Sequence, residues 1–294
     1  MSTERVFFVG GTGNIGAKAV NDLLENKVAV TLYARNPEKV DTLFKNYADS
    51  DLLKVVQGDY DDLTPLKDGI RGHTRLFLLI ADFRNFPKTK ETIAKYAYEA
   101  GVKQIVDISS FTVNMGWRQG MIGSNHYYGE KLIYDIPHRG YFVALRPGRF
   151  MSNLFNMIRP LTEGAYYSIS PPDAPEGWVS PNDIGAVAAV ILREDIHKHG
   201  DGVYMLTSDV MTANQVAETL SSLCGRDIPY KQITPVELYK KITSHGAPHL
   251  LAMDLVDGLA TESLANVNAC IEILTGRKPE TLKEYLSNNK ALLQ

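Results

Sequence analysis

A glycine-rich loop near the start of the chain has the composition and spacing of a turn that binds a diphosphate. It follows the apolar run Val6–Val9 and precedes a segment with helical spacing of its apolar residues. Glycines let the backbone approach a pyrophosphate, and the amides and dipole of the following helix attract the anion. The alternative is a tight turn that binds no ligand. The residues predicted to contact a dinucleotide cofactor here are Gly10, Gly11, Thr12, Gly13, Asn14, Ile15 and Gly16.

The residues at the end of the second apolar run, Val28–Tyr33, indicate which dinucleotide is bound. A site for NAD normally has Asp or Glu there, which accepts hydrogen bonds from the ribose hydroxyls. This chain has no acid at that point, and Arg35 stands where the 2′-phosphate of NADP would lie. We therefore predict that Arg35 and Asn36 bind NADP(H) in preference to NAD(H). The alternative is that Arg35 is a solvated loop residue and that NAD(H) binds.

Further strand ends are expected to line the same crevice, because ligands of open parallel sheets bind at the carboxyl ends of the strands. Short polar or aromatic segments follow the third, fourth and sixth predicted strands. The residues of these segments predicted to bind the cofactor are Asp59, Tyr60, Ala81, Asp82, Phe83, Phe150 and Asn153.

The elements that must position these residues alternate between two apolar patterns. Short apolar runs are typical of strands buried on both faces, and segments with helical spacing separate them. This alternation predicts βαβ units with right-handed crossovers, and hence an α/β fold with a doubly wound parallel sheet of the Rossmann type. The six predicted strands of the first half are 6–9, 28–33, 53–57, 75–81, 104–108 and 141–146.

The second half of the chain changes character. Residues 1–150 are predicted to form the dinucleotide-binding domain, and residues 151–294 a smaller, mostly helical substrate lobe. The stretch from residue 149 to residue 177 is irregular and rich in proline. The segment 178–207 reads as a turn, a helix and a strand, so we expect the chain to return to the sheet there.

Charge and apolar run length exclude several classes of protein. The 294 residues include 31 Lys and Arg against 34 Asp and Glu, a formal net charge of −3, with no basic cluster. Direct nucleic-acid binding is therefore not expected. The longest apolar run, Leu76–Ala81, is far shorter than the ~20 residues that span a bilayer, and no membrane association is expected.

The histidines and cysteines predict neither a metal site nor a disulfide. His197 and His199 lie in a charged segment, and His245 and His249 have no neighbouring acidic or cysteine partner. The two cysteines, at 224 and 270, are far apart and are read as free thiols of a reducing compartment. Together with a start that does not read as a signal peptide, this predicts a cytoplasmic protein.

Several segments together resemble the NmrA-like group of atypical short-chain dehydrogenases/reductases, over nearly the whole chain. The resemblance implies an extended-type fold that binds NAD(P). It leaves function open, because the group contains both reductases and catalytically silent redox sensors that regulate transcription. The segments that carry it are the loop 10–16, Thr31–Pro37, Val55–Asp62, Leu145–Leu154 and Trp178–Gly185.

The resemblance also directs attention to the stretch 126–131. Short-chain dehydrogenases use a tyrosine as proton donor and a lysine four residues later, which binds the ribose and lowers the pKa of the phenol. Tyr127 and Lys131 have this spacing, and His126 and Glu130 have it one residue out of phase. The two pairs point about 100° apart around a helix, so only one faces the nicotinamide. Tyr127 with Lys131 is the preferred pair, and His126 with Glu130 is the alternative. A third interpretation is that neither pair is catalytic.

A serine after the fifth strand is expected to orient the substrate carbonyl. Ser109 and Ser110 point to opposite faces of a strand end, and Ser110 is preferred. A set of large apolar residues belongs either to a core or to the wall of a cleft, and in the second case the substrate is a small hydrophobic molecule. That set is Trp117, Met151, Phe155, Met157, Tyr166 and Tyr167.

Two functions follow from these readings. The first is an NADPH-dependent oxidoreductase that reduces a carbonyl or conjugated carbonyl of a quinone, ketone or enone by hydride transfer. The second is a non-catalytic NADP(H)-binding sensor, whose binding to a protein partner changes with the redox state of the dinucleotide.

Overall fold

The apolar runs of the first half form the strands of one parallel sheet, to which the second half adds an edge strand. The computed structural model describes residues 4–48, 50–116, 118, 120–157, 164–261 and 265–293. The seven strands of the sheet are β1 (Arg5–Val9), β2 (Ala29–Ala34), β3 (Leu53–Gln57), β4 (Arg75–Leu78), β5 (Gln104–Ile108), β6 (Tyr141–Pro147) and β10 (Val203–Leu206). Their order is β10-β6-β5-β4-β1-β2-β3, with every neighbouring pair parallel. The predicted doubly wound α/β fold is confirmed.

Helices cover both faces of the sheet, which explains why the strands are continuous apolar runs. Phe8 of β1 packs into the core on one face, and Phe7 packs into the core on the other. Burial of a side chain of this size stabilises the fold by about 1.5–3 kcal/mol. The first core includes residues of α1 (Asn14–Glu25), α2 (Pro37–Leu43) and α7 (Pro181–Ile191). The second includes residues of α3 (Thr64–Gly69), α4 (Phe86–Glu99) and α5 (Met121–Tyr134).

Two elements from beyond residue 150 belong to this layered body. β10 pairs with β6 in the register Val203 to Ala144, and α7 packs against α1. The prediction that the chain divides into domains at residue 150 stays a prediction.

The remaining elements of the second half surround a third core around Tyr166 and Trp178. Its small sheets, β11-β9-β7 and β12-β8, have strands of two to five residues, too short to show an apolar period. The strands are β7 (Arg149–Phe150), β8 (Tyr166–Ser168), β9 (Pro175–Val179), β11 (Asp209–Thr212) and β12 (Tyr230–Gln232). The helices are α6 (Asn153–Met157), α8 (Ile196–His199), α9 (Ala213–Cys224), α10 (Pro235–Ser244), α11 (His249–Thr261), α12 (Cys270–Thr275) and α13 (Leu282–Asn288). No helix in the ranges that the structure describes is long and apolar enough to cross a membrane.

Candidate functional site

The loop 10–16 leaves β1 and enters α1 with its tip open to solvent. Gly10 has φ +89°, and a Cβ there would lie 2.4 Å from the carbonyl oxygen of Leu79, so a side chain does not fit. Gly13 and Asn14 are exposed, whereas Ile15 and Gly16 are buried against the sheet. Gly13 is the N-cap of α1 and has no side chain that could accept bonds from the first amides. This arrangement fits the diphosphate of a dinucleotide, with backbone donors facing solvent.

Three strand ends bring predicted cofactor residues together beside this loop. Arg35 is exposed directly after β2, and its charge acts on both Tyr60, after β3, and Asp82, after β4. Burial raises the pKa of Tyr60 to about 12, and the guanidinium of Arg35 opposes that rise. Hydrogen bonds from Arg84 hold the pKa of Asp82 below its usual value, and Arg35 adds to this effect. The three residues predicted from separate motifs therefore occupy one surface.

Two other predicted residues of this surface shape the backbone. The Asn36 side chain caps α2 by accepting a bond from the Lys39 N–H at 3.2 Å. Asp59 accepts bonds from the N–H groups of Asp61 and Asp62 at 2.9 and 3.3 Å, which closes the turn after β3. Both side chains are thus engaged in local turns next to Arg35 and Tyr60.

The residues that follow β4 include an aromatic side chain that contacts α5. Ala81 is exposed, and the half-buried Phe83 stacks on Phe86 with 5.2 Å between ring centroids. The edge of the His126 ring contacts Phe86 and Phe83, at 4.8 and 6.5 Å between centroids. His126 therefore packs against Phe83, which follows β4, and Phe86, at the start of α4.

The two candidate pairs on α5 have different surroundings. His126 and Glu130 are buried against the body of the protein. Lys131 is exposed, and its Nζ lies 2.5 Å from Oδ2 of Asp135, also exposed, which raises the pKa of the lysine. Tyr127 is half-buried, with the ring of Tyr128 at its edge. The geometry thus turns the His126/Glu130 face towards the strand ends and the ammonium of Lys131 towards solvent.

Glu130 is the centre of a buried polar network. Its Oε1 accepts bonds from the hydroxyl of Ser109 and from Nε of Arg146, the latter at 2.9 Å. Its Oε2 accepts a bond from Nη2 of Arg146 at 2.5 Å, and Nη1 of the same guanidinium donates to Oδ1 of Asn114 at 2.7 Å. The carboxylate therefore joins the ends of β5 and β6 to α5.

The two serines after β5 have different hydrogen-bond partners. Ser109 is buried and donates to Glu130. Ser110 caps the 3-10 turn Phe111–Met115 by accepting a bond from the Thr112 N–H at 3.2 Å, and its hydroxyl also lies 2.8 Å from the Thr112 hydroxyl. Ser109, rather than Ser110, contacts a candidate residue of α5. The role of Ser110 towards a substrate stays a prediction.

A second buried ion pair joins α4 to β5 in the same region. Nζ of Lys90 on α4 lies 2.6 Å from Oδ1 of Asp107 on β5, both fully buried, and also donates to the carbonyl oxygen of Ile108 at 3.2 Å. Burial, with the Lys90 charge, holds the pKa of His126 well below its usual value. His126 is therefore neutral near pH 7, and its Nδ1 is buried with no hydrogen-bond partner among the described residues.

The sequence analysis does not predict Arg146, Asn114 or Lys90 as members of the site. A signal existed for two of them, because a charged residue within a buried strand or on the buried face of a helix requires a partner. The identity of that partner depends on packing between elements distant in sequence. Asn114 carries no such signal, since it is exposed.

The apolar residues predicted for a core or a cleft wall differ in their burial. Met151 and Tyr166 are fully buried in the core of the second half, and Phe155 packs against it. Tyr167 is half-buried, with Nζ of Lys241 over its ring at 4.7 Å from the centroid. Trp117 lies outside the described residues, as does the side chain of Met157. The predicted cofactor residues Phe150 and Asn153 are half-buried, in β7 and at the start of α6.

Within the part of the chain that the structure describes, no group of three or more His, Cys, Asp or Glu side chains could hold a metal ion.

Comparison with known sequences identifies relatives of this chain that are reductases. The model of the NmrA-like family matches residues 2–286. The (4-alkanoyl-5-oxo-2,5-dihydrofuran-3-yl)methyl phosphate reductase of Streptomyces griseus is 25% identical, over 95% of this chain and 96% of that protein. The NAD(P)H azoreductase of Xenophilus azovorans is also 25% identical, over 97% of this chain and 98% of that protein.

Solved structures share the fold at lower identity. The NADPH complex of an NADPH-dependent quinone oxidoreductase from Escherichia coli has a TM-score of 0.83 at 23% identity, covering 97% of this chain and 99% of that one. NmrA, a negative transcriptional regulator in complex with NADP, has a TM-score of 0.75 at 15% identity, covering 99% and 97%. One fold therefore serves both a reductase and a regulator.

Proposed function

Because this chain belongs to the NmrA-like family, we propose that it is an NADPH-dependent reductase of a small hydrophobic acceptor such as a quinone or an enone. One observation carries the proposal: the buried Ser109–Glu130–Arg146 network lies at the carboxyl ends of β5 and β6, the edge of the sheet at which the glycine loop leaves β1. Ligands of open parallel sheets bind at this edge. Relatives that reduce a butenolide phosphate and azo compounds support the reaction class.

The preference for NADPH rests on Arg35. Its guanidinium stands directly after β2, and the segment Thr31–Pro37 contains no acid, so the site suits a 2′-phosphate better than ribose hydroxyls. The glycine loop would hold the diphosphate, because a side chain at Gly10 would collide with the Leu79 carbonyl and close the approach. NAD(H) is the second choice and is expected to bind more weakly.

When bound, NADPH supplies a hydride from its nicotinamide ring, and the acceptor also takes up one proton. Arg146 and Ser109 hold the Glu130 carboxylate in one orientation, so this group is preorganised beside the acceptor site. His126 contributes a neutral imidazole that packs against Phe83 and Phe86 and so shapes this side of the site.

The pair Tyr127 and Lys131 is the second candidate for the proton-transfer machinery. Tyr127 lies one helical turn before Glu130 and is half-buried, so its hydroxyl remains a candidate proton donor. The bond between Lys131 and Asp135 disfavours a role for the lysine in holding the ribose, since both side chains are on the exposed side of α5. We therefore assign the site to the His126/Glu130 face and retain Ser110 as a weaker candidate for contact with the substrate.

The second candidate function is an NADP(H)-binding sensor with a protein partner. One observation favours it: the ammonium of Lys131, which the family resemblance places near the ribose, is bonded to Asp135 in this structure. A sensor needs the loop 10–16 and Arg35 but not a catalytic lysine. We expect a cytoplasmic location for either function, because both need a pool of NADPH. The free thiols of Cys224 and Cys270 are compatible with such a reducing compartment.

Oxidation of NADPH in the presence of an acceptor panel tests the proposal. The purified protein is mixed with NADPH and with quinones, enones, azo dyes and aldehydes, and the absorbance of the reduced cofactor is followed. We expect turnover with at least one conjugated acceptor and slower turnover with NADH. Tight NADPH binding without turnover of any acceptor, and equal affinity for NADP⁺ and NADPH, would support the sensor instead.

A further inference from the structure

We propose that Asp254 is a positioning residue that latches α11 to the start of α5 and so holds one wall of the substrate cleft. The proposal rests on the proposed function, because α5 carries the Glu130 carboxylate assigned there to the site. The latch itself is a structural statement that an experiment on the protein alone can decide.

Asp254 caps α5 from a distant part of the chain. Its Oδ2 accepts a hydrogen bond from the N–H of Ile122 at 2.7 Å, across a separation of 132 residues, and the N–H of Met121 bonds to the same carboxyl group. The local N-cap of α5 is Gly120, which has no side chain that could serve. The first turn of a helix leaves amide donors unpaired, and a carboxylate there is favoured by the helix dipole as well. Asp254 therefore supplies the cap that the local sequence lacks.

The two sides of this contact fit each other closely. Gly120 has φ +74°, and a Cβ at that position would lie 1.9 Å from Oδ1 of Asp254. Any larger residue at 120 would displace the carboxylate. Asp254 is half-buried; this burial raises the pKa of its carboxyl group, and the bonds from Ile122 and Met121 oppose that rise.

The capped end of α5 lies next to the end of β5. A Cβ on Gly123 would be 3.1 Å from the carbonyl oxygen of Thr112, in the 3-10 turn that Ser110 caps. Two turns further along α5, Glu130 bonds to Ser109 and Arg146. A loosened start of α5 is therefore expected to disturb the side of the site that faces the second half of the chain.

α11 packs against α5 and carries exposed apolar side chains. Leu250, one turn before Asp254 on the same helix face, is 63% exposed, and Met253 is 40% exposed. A hydrophobic acceptor gains binding energy from such side chains only when the helix is held in position. The latch thus favours binding of the acceptor and leaves the dinucleotide, on the far side of the crevice, unaffected.

The latch can be broken without unfolding α11. The helix is joined to α10 by a hydrogen bond between the Tyr239 hydroxyl and Nδ1 of His249 at 2.9 Å. Ala252 and Val256 of α11 and Leu238 of α10 are buried, and the two helices pack against each other. Substitution of Asp254 is therefore expected to change the contact with α5 while the helix pair keeps its own packing.

Three variants of the full chain test the proposal: Asp254→Ala, Asp254→Asn and, as a charge-matched control on the same helix, Asp257→Ala. Amide hydrogen exchange of Ile122 is measured in each protein without substrate. We expect exchange about fivefold faster in Asp254→Ala, the usual size for loss of one helix cap. The asparagine variant keeps an acceptor oxygen and is expected to stay within about twofold of the original protein, as is the control.

Kinetics with the best acceptor of the panel supply the second measurement. We expect the KM for the acceptor to rise about fivefold in Asp254→Ala, with kcat and the Kd of NADPH within about twofold, and Asp254→Asn to restore the original KM.

The two measurements separate the possible failures. Unchanged exchange of Ile122 in Asp254→Ala overturns the latch. Faster exchange with an unchanged KM overturns its role in the cleft. If the original protein reduces no acceptor, the proposed function fails, and the exchange result still decides whether Asp254 latches α11 to α5.

Discussion

The hydroxyl of Ser109 donates a hydrogen bond to the carboxylate of Glu130 and thereby joins the end of β5 to α5. Arg146, at the end of β6, donates two further bonds to the same carboxylate. Three elements of the sheet edge meet at one group, so the rotation of α5 about its axis is set by this contact. One step around the helix, Lys131 is exposed and bonded to Asp135, whereas Tyr127 is half-buried.

The first prediction compares the two faces of α5. Glu130→Gln replaces a charge-assisted bond to Arg146 and is expected to lower kcat/KM for the acceptor about 10- to 150-fold, which corresponds to about 1.5–3 kcal/mol. Lys131→Met removes an exposed ion pair and is expected to change kcat/KM no more than about twofold. Steady-state kinetics on both variants, with thermal unfolding as a check on the fold, give the comparison. The reverse ranking would assign the reaction to Tyr127 and Lys131.

The second prediction concerns the choice of dinucleotide. Arg35→Asp removes the guanidinium that faces the proposed 2′-phosphate and introduces a carboxylate in its place. We expect the affinity for NADPH to fall about 10- to 150-fold, with NADH affinity little changed or improved. Calorimetric titration with both dinucleotides measures the two effects. Equal losses for both would show that Arg35 does not read the 2′-phosphate.

The third prediction tests the close approach of the backbone at the glycine loop. In Gly10→Ala the new methyl group meets the carbonyl oxygen of Leu79, and the residue also keeps a positive φ. We expect NADPH binding to be lost and the protein to be destabilised by more than the cost of the positive φ, about 1–2 kcal/mol.

Gly72→Ala is the matched control for this variant. Its φ is +79°, but no atom lies within 4 Å of the added Cβ, so only the conformational cost remains. Thermal unfolding and NADPH titration of the two variants separate that cost from the collision. Unchanged NADPH binding in Gly10→Ala would contradict the role of the loop.

The fourth prediction concerns the pH dependence of stability through His126. Its pKa in the folded protein lies well below the unfolded value of about 6.5, so the unfolded chain binds a proton that the native protein does not. His126 therefore contributes stability that is fully present above about pH 6.5 and is lost as the pH falls, at up to about 1.4 kcal/mol per pH unit.

Replacement of His126 by Phe, which suits the contact with Phe83 and Phe86, is expected to remove this part of the slope between pH 6.5 and pH 5. Denaturant unfolding of the original protein and the variant at a series of pH values measures the difference. The exposed His245 supplies the control, as His245→Phe. Equal slopes in the original protein and in His126→Phe would contradict a neutral buried imidazole.

The fifth prediction concerns the buried pair of Lys90 and Asp107. Lys90→Met leaves the Asp107 carboxylate buried without its partner and is expected to cost about 3–5 kcal/mol of the free energy of unfolding. The double variant Lys90→Met/Asp107→Leu removes both charges and is expected to recover most of that loss. Urea unfolding of both variants gives the two free energies. A double variant as unstable as Lys90→Met would show that the cost comes from packing instead of from an unpaired charge.

The amino-acid sequence by itself determined the sheet and the position of the glycine loop. Continuous apolar runs such as Val6–Val9 predict strands buried on both faces, and their alternation with helical segments predicts the parallel order, because both are local patterns. The glycines of the loop 10–16 and the absence of an acid after β2 are local as well. The seventh strand, β10, was also indicated by the expected return of the chain between residues 178 and 207.

Only the tertiary structure decided which side of α5 packs against the ends of β5 and β6 and what holds it there. A helix of this sequence places His126/Glu130 and Tyr127/Lys131 about 100° apart, and its rotation is set by packing against α4, β6 and the 3-10 turn Phe111–Met115. The bond from Ile122 to Asp254 spans 132 residues, and no local pattern carries information about a contact at that distance. The periodicity of a segment reports which of its residues are buried, whereas the partner of each buried polar group depends on how separate elements come together.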